Sequence, residues 1–171
     1  NTGCAKASSE GLRCFFLQGN WARLKTMNRP AIVTLFDAQG KEQHAVVESL
    51  ENDRVTINVG GIQADFAMAD FVSSWSGDMI ALWRPPKLEN AVLKPGIKGQ
   101  DVTWLNNRLK KIYAQDYVAD DRADYDDVVE KQVKVFQRDH YLAIDGVVGE
   151  QTLVHLLAAA AEPGVPLLGE P

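Results

Sequence analysis

Basic residues are too few and too scattered in this chain to build a nucleic-acid surface. Its 18 Lys and Arg stand against 23 Asp and Glu, leaving a net charge of −5. Nucleic acid is held largely by clustered cations that neutralise phosphates, and the sequence has no such cluster. The same deficit speaks against contact with an anionic membrane by this piece itself. No apolar run approaches the roughly 20 residues that span a bilayer. Histidine is scarce too: His44, His140 and His155 lack metal-ligand spacing, so neither a metal nor another cofactor is expected. The opening Asn1-Thr2-Gly3-Cys4-Ala5-Lys6 is neither a signal peptide nor a translation start, which suggests an excised piece of a longer protein.

Only two cysteines occur, Cys4 and Cys14. An even pair at short separation, with no histidine nearby, suits a disulfide better than a four-ligand zinc site. Such a bridge implies an oxidising compartment such as a periplasm. Two buried free thiols are the alternative, because cysteine also packs as a small hydrophobe.

What is present falls into two halves with different periods, within a length that allows one medium domain or two small ones. Up to Arg84 short strands dominate. A helix around Ala5–Glu10 precedes a strand over Arg13–Gln18, and Asn20 can cap a helix over Trp21–Met27. Strands follow over Ala31–Phe36, Gln43–Leu50, Arg54–Val59 and Ile62–Ala67, the last two joined by Gly60-Gly61 as a hairpin turn. Met68–Trp75 reads as a helix stopped by Gly77, before a strand over Met79–Trp83. The expectation is an antiparallel meander with short helices, an α+β pattern.

Arg84-Pro85-Pro86-Lys87 reads as a linker, since two prolines remove backbone donors and stiffen the chain. Beyond it the period is helical: Val102, Leu105, Leu109 and Ile112, then Val129, Val133 and Phe136, then Leu153, Leu156 and Leu157. Three amphipathic helices can share one core that none of them could form alone. The expected organisation is a domain over residues 1–86, a second over 87–160 and a tail over 161–171. The acidic stretch with Asp116, Asp120, Asp121, Asp124, Asp126 and Asp127 lacks the alternating oxygens, central Gly and terminal Glu of an EF-hand. It reads as a solvated loop whose last carboxylates favour the following helix dipole.

The second half also carries motifs in order. Leu93-Lys94-Pro95-Gly96-Ile97-Lys98-Gly99-Gln100 runs into a helix with Val102 and Leu105. Val133-Lys134-Val135-Phe136-Gln137 follows, and then Leu142-Ala143-Ile144-Asp145-Gly146-Val147-Val148-Gly149-Glu150-Gln151-Thr152. This series resembles the PG_binding_1 family, three-helix modules that bind peptidoglycan non-covalently. It departs at Asn106, where the family usually has Gln, and in its longer acidic connection. The exposed polar residues expected near the second and third helices are the candidate contacts: Arg108, Gln132, Gln137, Asp145 and Thr152. For Asp145 and Thr152 a purely structural role, fixing the turn and the first helical turn, remains open.

In the first half, Pro30–Leu35, Gln43–Val47, Arg54–Ile57 and Asp70–Gly77 are similar to the later part of C39-type cysteine peptidases. The resemblance places His44 at the general-base position but puts Asn58-Val59-Gly60-Gly61 where an Asp-Pro is expected. Neither cysteine matches the nucleophile, so a degenerate, non-catalytic domain is expected. The two halves together, with Gly11–Cys14, Gln18–Trp21 and Asn28–Ile32, resemble the periplasmic region of the GspA/ExeA family of type II secretion assembly proteins. That resemblance implies a parent with a cytoplasmic ATPase and a transmembrane helix. It also implies a GspB-type inner-membrane partner and a role in secretin assembly. Repeated subunits around a secretin would make self-association as a homo-oligomer useful, and the sheet of the first half offers edges for it.

Overall fold

The computed structural model describes residues 2–117 and 122–170. Asp120 and Asp121 of the acidic stretch lie outside them. Two compact units emerge: residues up to Pro85 together with Gly164 onward, and Pro86–Pro163.

The first unit is an antiparallel six-stranded sheet with three short helices. In chain order these are α1 (Thr2–Ser9), β1 (Arg13–Gln18), α2 (Trp21–Met27), β2 (Ala31–Phe36), β3 (Glu42–Glu51), β4 (Arg54–Val59), β5 (Ile62–Ala67), α3 (Met68–Ser74) and β6 (Trp75–Trp83). The strands stand in the order β1-β6-β2-β3-β4-β5. The expected meander therefore holds from β2 to β5 only. β6 returns to lie between β1 and β2, a placement that nothing in the local pattern of either strand encodes. Gly77 is also not the helix stop: the helix ends at Ser74, and Gly77 sits inside β6 at φ 86°. There a Cβ would come within 2.9 Å of the Gly19 carbonyl oxygen, so the close approach of the two chain segments requires glycine.

Alternation assigns the faces of the sheet. Phe15, Ala81, Ala31, Val47 and Ile57 lie opposite one another across five strands and are buried. Leu24 and Met27 of α2 and Phe71 of α3 are buried as well. α2 begins as its sequence suggests, with the Asn20 side chain accepting from the Arg23 N–H at 3.1 Å.

The segment expected to be a tail is instead part of this unit. Asn28, in the left-handed conformation at the end of α2, accepts the Leu168 and Gly169 N–H groups at 3.1 and 3.0 Å through its side chain. The Leu50 N–H donates to the Leu168 carbonyl at 2.8 Å, and the Leu168 side chain is buried. The Pro- and Gly-rich composition removes regular structure from this segment but does not stop one leucine from docking.

The second unit holds α4 (Gln100–Tyr113), α5 (Asp127–Asp139) and α6 (Glu150–Ala159), with a short 3-10 turn after α4. α6 is central: every residue from Thr152 to Ala158 is buried, so it presents apolar surface all round rather than as one stripe. Asp126 caps α5 by accepting from the Val128 and Val129 N–H groups, and Asp124 pairs with Lys98. Asp101 in the first turn of α4 is buried. Its carboxylate accepts from the Glu89 N–H and from the backbone and side chain of Asn90. Burial raises its pKa, but those hydrogen bonds outweigh burial and hold it below the usual carboxylate value.

Cys4 and Cys14 are bridged, tying α1 to β1, so the chain's two cysteines hold no free thiol. Closing a loop with a separation of 10 residues should contribute about 2–3 kcal/mol through lost unfolded-state entropy. Reduction, or Cys4→Ser with Cys14→Ser, should lower the urea midpoint of the sheet unit accordingly. An unchanged midpoint would contradict this. For Asp101, a lowered folded pKa means its contribution is present above about pH 4 and lost as pH falls through the folded value. NMR titration of the Asn90 side-chain amide should show release from Asp101 below that pH. Asp101→Asn should remove the transition.

Candidate functional site

A small cavity of about 170 Å³ opens at the start of α6, lined by Gln137, Leu142, Asp145, Val147, Thr152 and neighbouring residues. Three of the five candidate side chains meet here. Gln137 lies one helical turn after Val133 on the buried stripe of α5, so its amide enters the core. Its Nε2 donates to the Asp145 carboxylate at 2.9 Å, the Val147 carbonyl at 3.0 Å and the Thr152 hydroxyl at 3.3 Å. Its Oε1 accepts the Gly146 N–H at 2.9 Å.

The loop from Asp145 to Gly149 is thus held from inside. Asp145 also accepts the Val147 N–H at 2.8 Å, and the Tyr125 hydroxyl donates to the Gly146 carbonyl at 2.7 Å. Desolvation of the buried Tyr125 raises its pKa far above the usual phenol value, so the hydroxyl remains a donor. At Gly146, with φ 72°, a Cβ would meet the Glu130 Cγ at 2.8 Å, and glycine is required on both counts. Val148 is fully buried and forms an isolated bridge with Leu93.

The expectation of exposure fails for two residues. Gln137 is 1% and Thr152 5% exposed, while Asp145 remains at the surface. A polar residue on the apolar stripe of α5 was the available signal that Gln137 points inward. Glu150 and Gln151, which also line the cavity, were not among the candidates. Gly149 precedes α6 without a side-chain cap, so the first-turn N–H groups have no intrahelical acceptor and receive none from the cap residue. These donors begin the helix beside the cavity.

Arg108 and Gln132 do not line it. Arg108 stacks over the Trp104 ring at 4.4 Å and donates to the Trp104 carbonyl and to Glu162. Gln132 is half-buried on α5.

In the sheet unit, His44 lies on an exposed face beside a cavity of about 620 Å³, its Nδ1 3.4 Å from the Thr34 hydroxyl. A peptidase of the cysteine type needs a thiolate within reach of such a base. Both thiols are consumed in the bridge. Among the described residues no group of three or more His, Cys, Asp or Glu could hold a metal ion, and no helix is long and apolar enough to cross a membrane.

Replacing Gln137 with Ala should cost about 2–4 kcal/mol, because it strips partners from buried polar groups as well as removing bonds. Urea unfolding followed on the helical signal measures this. A loss within about 0.5 kcal/mol, the range of an ordinary surface change, would contradict the brace.

The family described as "Putative peptidoglycan binding domain", PG_binding_1, matches residues 98–156. "General secretion pathway protein A" of Aeromonas hydrophila is 29% identical over 160 residues, covering 94% of this chain and 29% of that protein. "Putative general secretion pathway protein A" of Escherichia coli (strain K12) is 29% identical over 160 residues, covering 93% of this chain and 32% of that protein. The chain thus spans less than a third of the length of these relatives. A crystal structure of a periplasmic domain of the EpsAB fusion protein of the Vibrio vulnificus type II secretion system is similar at TM-score 0.56 and 25% identity. That match covers 85% of this chain and 64% of that one. A more distant likeness, at TM-score 0.41 and 18% identity over 46% of this chain and 61% of that one, is the peptidase domain of Streptococcus ComA. Residues 98–156 thus match the PG_binding_1 family model, in a chain similar to general secretion pathway protein A along nearly its whole length.

Proposed function

We propose that the helical unit holds peptidoglycan without altering it and anchors a type II secretion assembly factor to the wall from the periplasmic side. The observation that carries this reading is the Gln137-braced cavity at the start of α6, which lies within the residues matching the peptidoglycan-binding family. Its volume, about 170 Å³, suits part of a wall peptide rather than a whole muropeptide, since pockets for drug-sized ligands run to several hundred Å³. Gln137, Asp145 and Thr152 shape the site. Glu150, Gln151 and the first-turn N–H groups of α6 make the outward contacts. Arg108 and Gln132 are assigned no ligand contact.

The similarity to general secretion pathway protein A, and to a Vibrio vulnificus type II secretion domain, supports the wider setting. In this reading the parent protein carries a cytoplasmic ATPase and an inner-membrane anchor. It works with a GspB-type partner, places the outer-membrane secretin within the wall, and self-associates as repeated copies. The sheet unit is a degenerate C39-type peptidase that contributes no hydrolysis. The two cysteines, bridged and outside the nucleophile position, favour this over a relict peptidase or a wall-targeted hydrolase.

Sedimentation with purified sacculi tests the binding claim. The whole chain should pellet with sacculi and release no muropeptides, and Glu150→Lys with Gln151→Glu should move most of it to the supernatant. Retention of the whole chain in the supernatant would sink the proposal, and muropeptide release lost on His44→Ala would favour an enzyme.

A further inference from the structure

β5 is the last strand of the sheet, and all six of its residues are exposed. Its register with β4 places Ile62, Ala64 and Phe66 opposite Val59, Ile57 and Val55, on the face that is buried elsewhere in the sheet. The other face is a polar ladder in which the Thr56 hydroxyl donates to Asp65 and Gln63 pairs with Glu48. Alternation of this kind places apolar side chains where a cover is expected. Here Ile62 is nevertheless 74% exposed and Phe66 40%.

Beside them lies an apolar groove of about 390 Å³, with Ile57, Val59 and Phe71 among its lining residues and the carboxylates Asp37 and Asp70 within it. The strand carries little of the usual protection of an exposed edge, Asp65 being its one charged side chain. It has no proline, no lysine and no bulge in its pairing with β4. Among the described residues, one side chain engages the outer strand's backbone, Arg54 donating to the Asp65 carbonyl at 3.2 Å.

We infer that β5 and this groove accept an extended segment of a partner protein, added as a seventh strand, with apolar residues at alternate positions and flanking lysine or arginine. Backbone pairing along the free edge supplies affinity, and the groove selects every second side chain. Charge complementarity decides the partner. Two copies of this chain joined across β5 would bring Asp37, Asp65 and Asp70 of both copies to one seam, where like charges oppose pairing. A basic segment meets the same carboxylates favourably.

The test uses the whole chain and a fluorescein-labelled peptide, Lys-Val-Thr-Val-Thr-Val-Lys, with Glu-Val-Thr-Val-Thr-Val-Glu as its charge-reversed counterpart. The basic peptide should bind in fluorescence polarisation. It should slow hydrogen exchange at the amides of residues 62–67 and bind at least about tenfold more tightly than the acidic one. Ile62→Glu, a change at an open surface position, should weaken binding by at least about tenfold with an unaltered circular dichroism spectrum. Asp70→Lys should weaken the basic peptide and favour the acidic one. The inference is overturned by no binding of the basic peptide at millimolar concentration, or by equal binding of both peptides. It is equally overturned by binding without protection at 62–67, or by a dimer of the chain alone that Ile62→Glu dissolves.

Discussion

A single buried side-chain amide organises the helical unit. Gln137 projects from α5 into a region where the chain between Leu142 and Gly149 has no helix or strand to satisfy its backbone. A glutamine carries two donors and an acceptor with two lone pairs, and here it reaches Asp145, Val147 and Thr152 with the first and Gly146 with the second. An apolar residue of the same size would leave those groups without these partners, at a cost that is a sizeable fraction of the roughly 5–15 kcal/mol of net stability a small domain possesses. The loop is consequently braced from the core by hydrogen bonds up to where it meets solvent. Asp145, Glu150 and Gln151 line the cavity from fixed backbone, and a ligand that enters it has no loop to order. Preorganisation of this kind improves affinity for a ligand by reducing what binding must immobilise.

The sheet unit is secured by different means. A crosslink ties α1 to β1, and the Asn28 side chain clamps the returning carboxy-terminal segment so that Leu168 joins the core. Both devices act on the margins of a sheet whose centre is an ordinary apolar ladder. The crosslink has a chemical consequence as well: it spends both thiols on structure, while His44 stays on the open face of the sheet. The free edge at β5 is the other exposed feature of this unit.

Much of this was legible in the residues. The strands Arg13–Gln18, Ala31–Phe36, Arg54–Val59 and Ile62–Ala67 have the boundaries that their β-branched and aromatic runs suggest, because turn residues punctuate them on both sides. Asn20 caps α2 as its position before Trp21 implies. What could not be read depends on distant partners. β6 enters between β1 and β2, and the segment after Glu162 docks a leucine beneath Asn28, through contacts far apart in sequence. Gly77 looked like a helix stop because a glycine after an apolar run usually is one, whereas its real constraint is the Gly19 carbonyl. In the candidate site, Asp145, Gly146 and Thr152 stand close in sequence, and the structure brings them together around one loop. Glutamine is mostly a surface residue, but the place of Gln137 on the stripe with Val129, Val133 and Phe136 is the sequence signal for the interior.

The central claim is that the cavity at the start of α6 is where peptidoglycan is held. Amide chemical shifts of the ¹⁵N-labelled chain, titrated with soluble muropeptides, test it most directly. The account predicts saturable shifts concentrated at Asp145–Thr152 and at the Gln137 side-chain amide. Saturable shifts confined to the sheet unit, or to the surface around Arg108 and Trp104 with residues 145–152 unmoved, would contradict it.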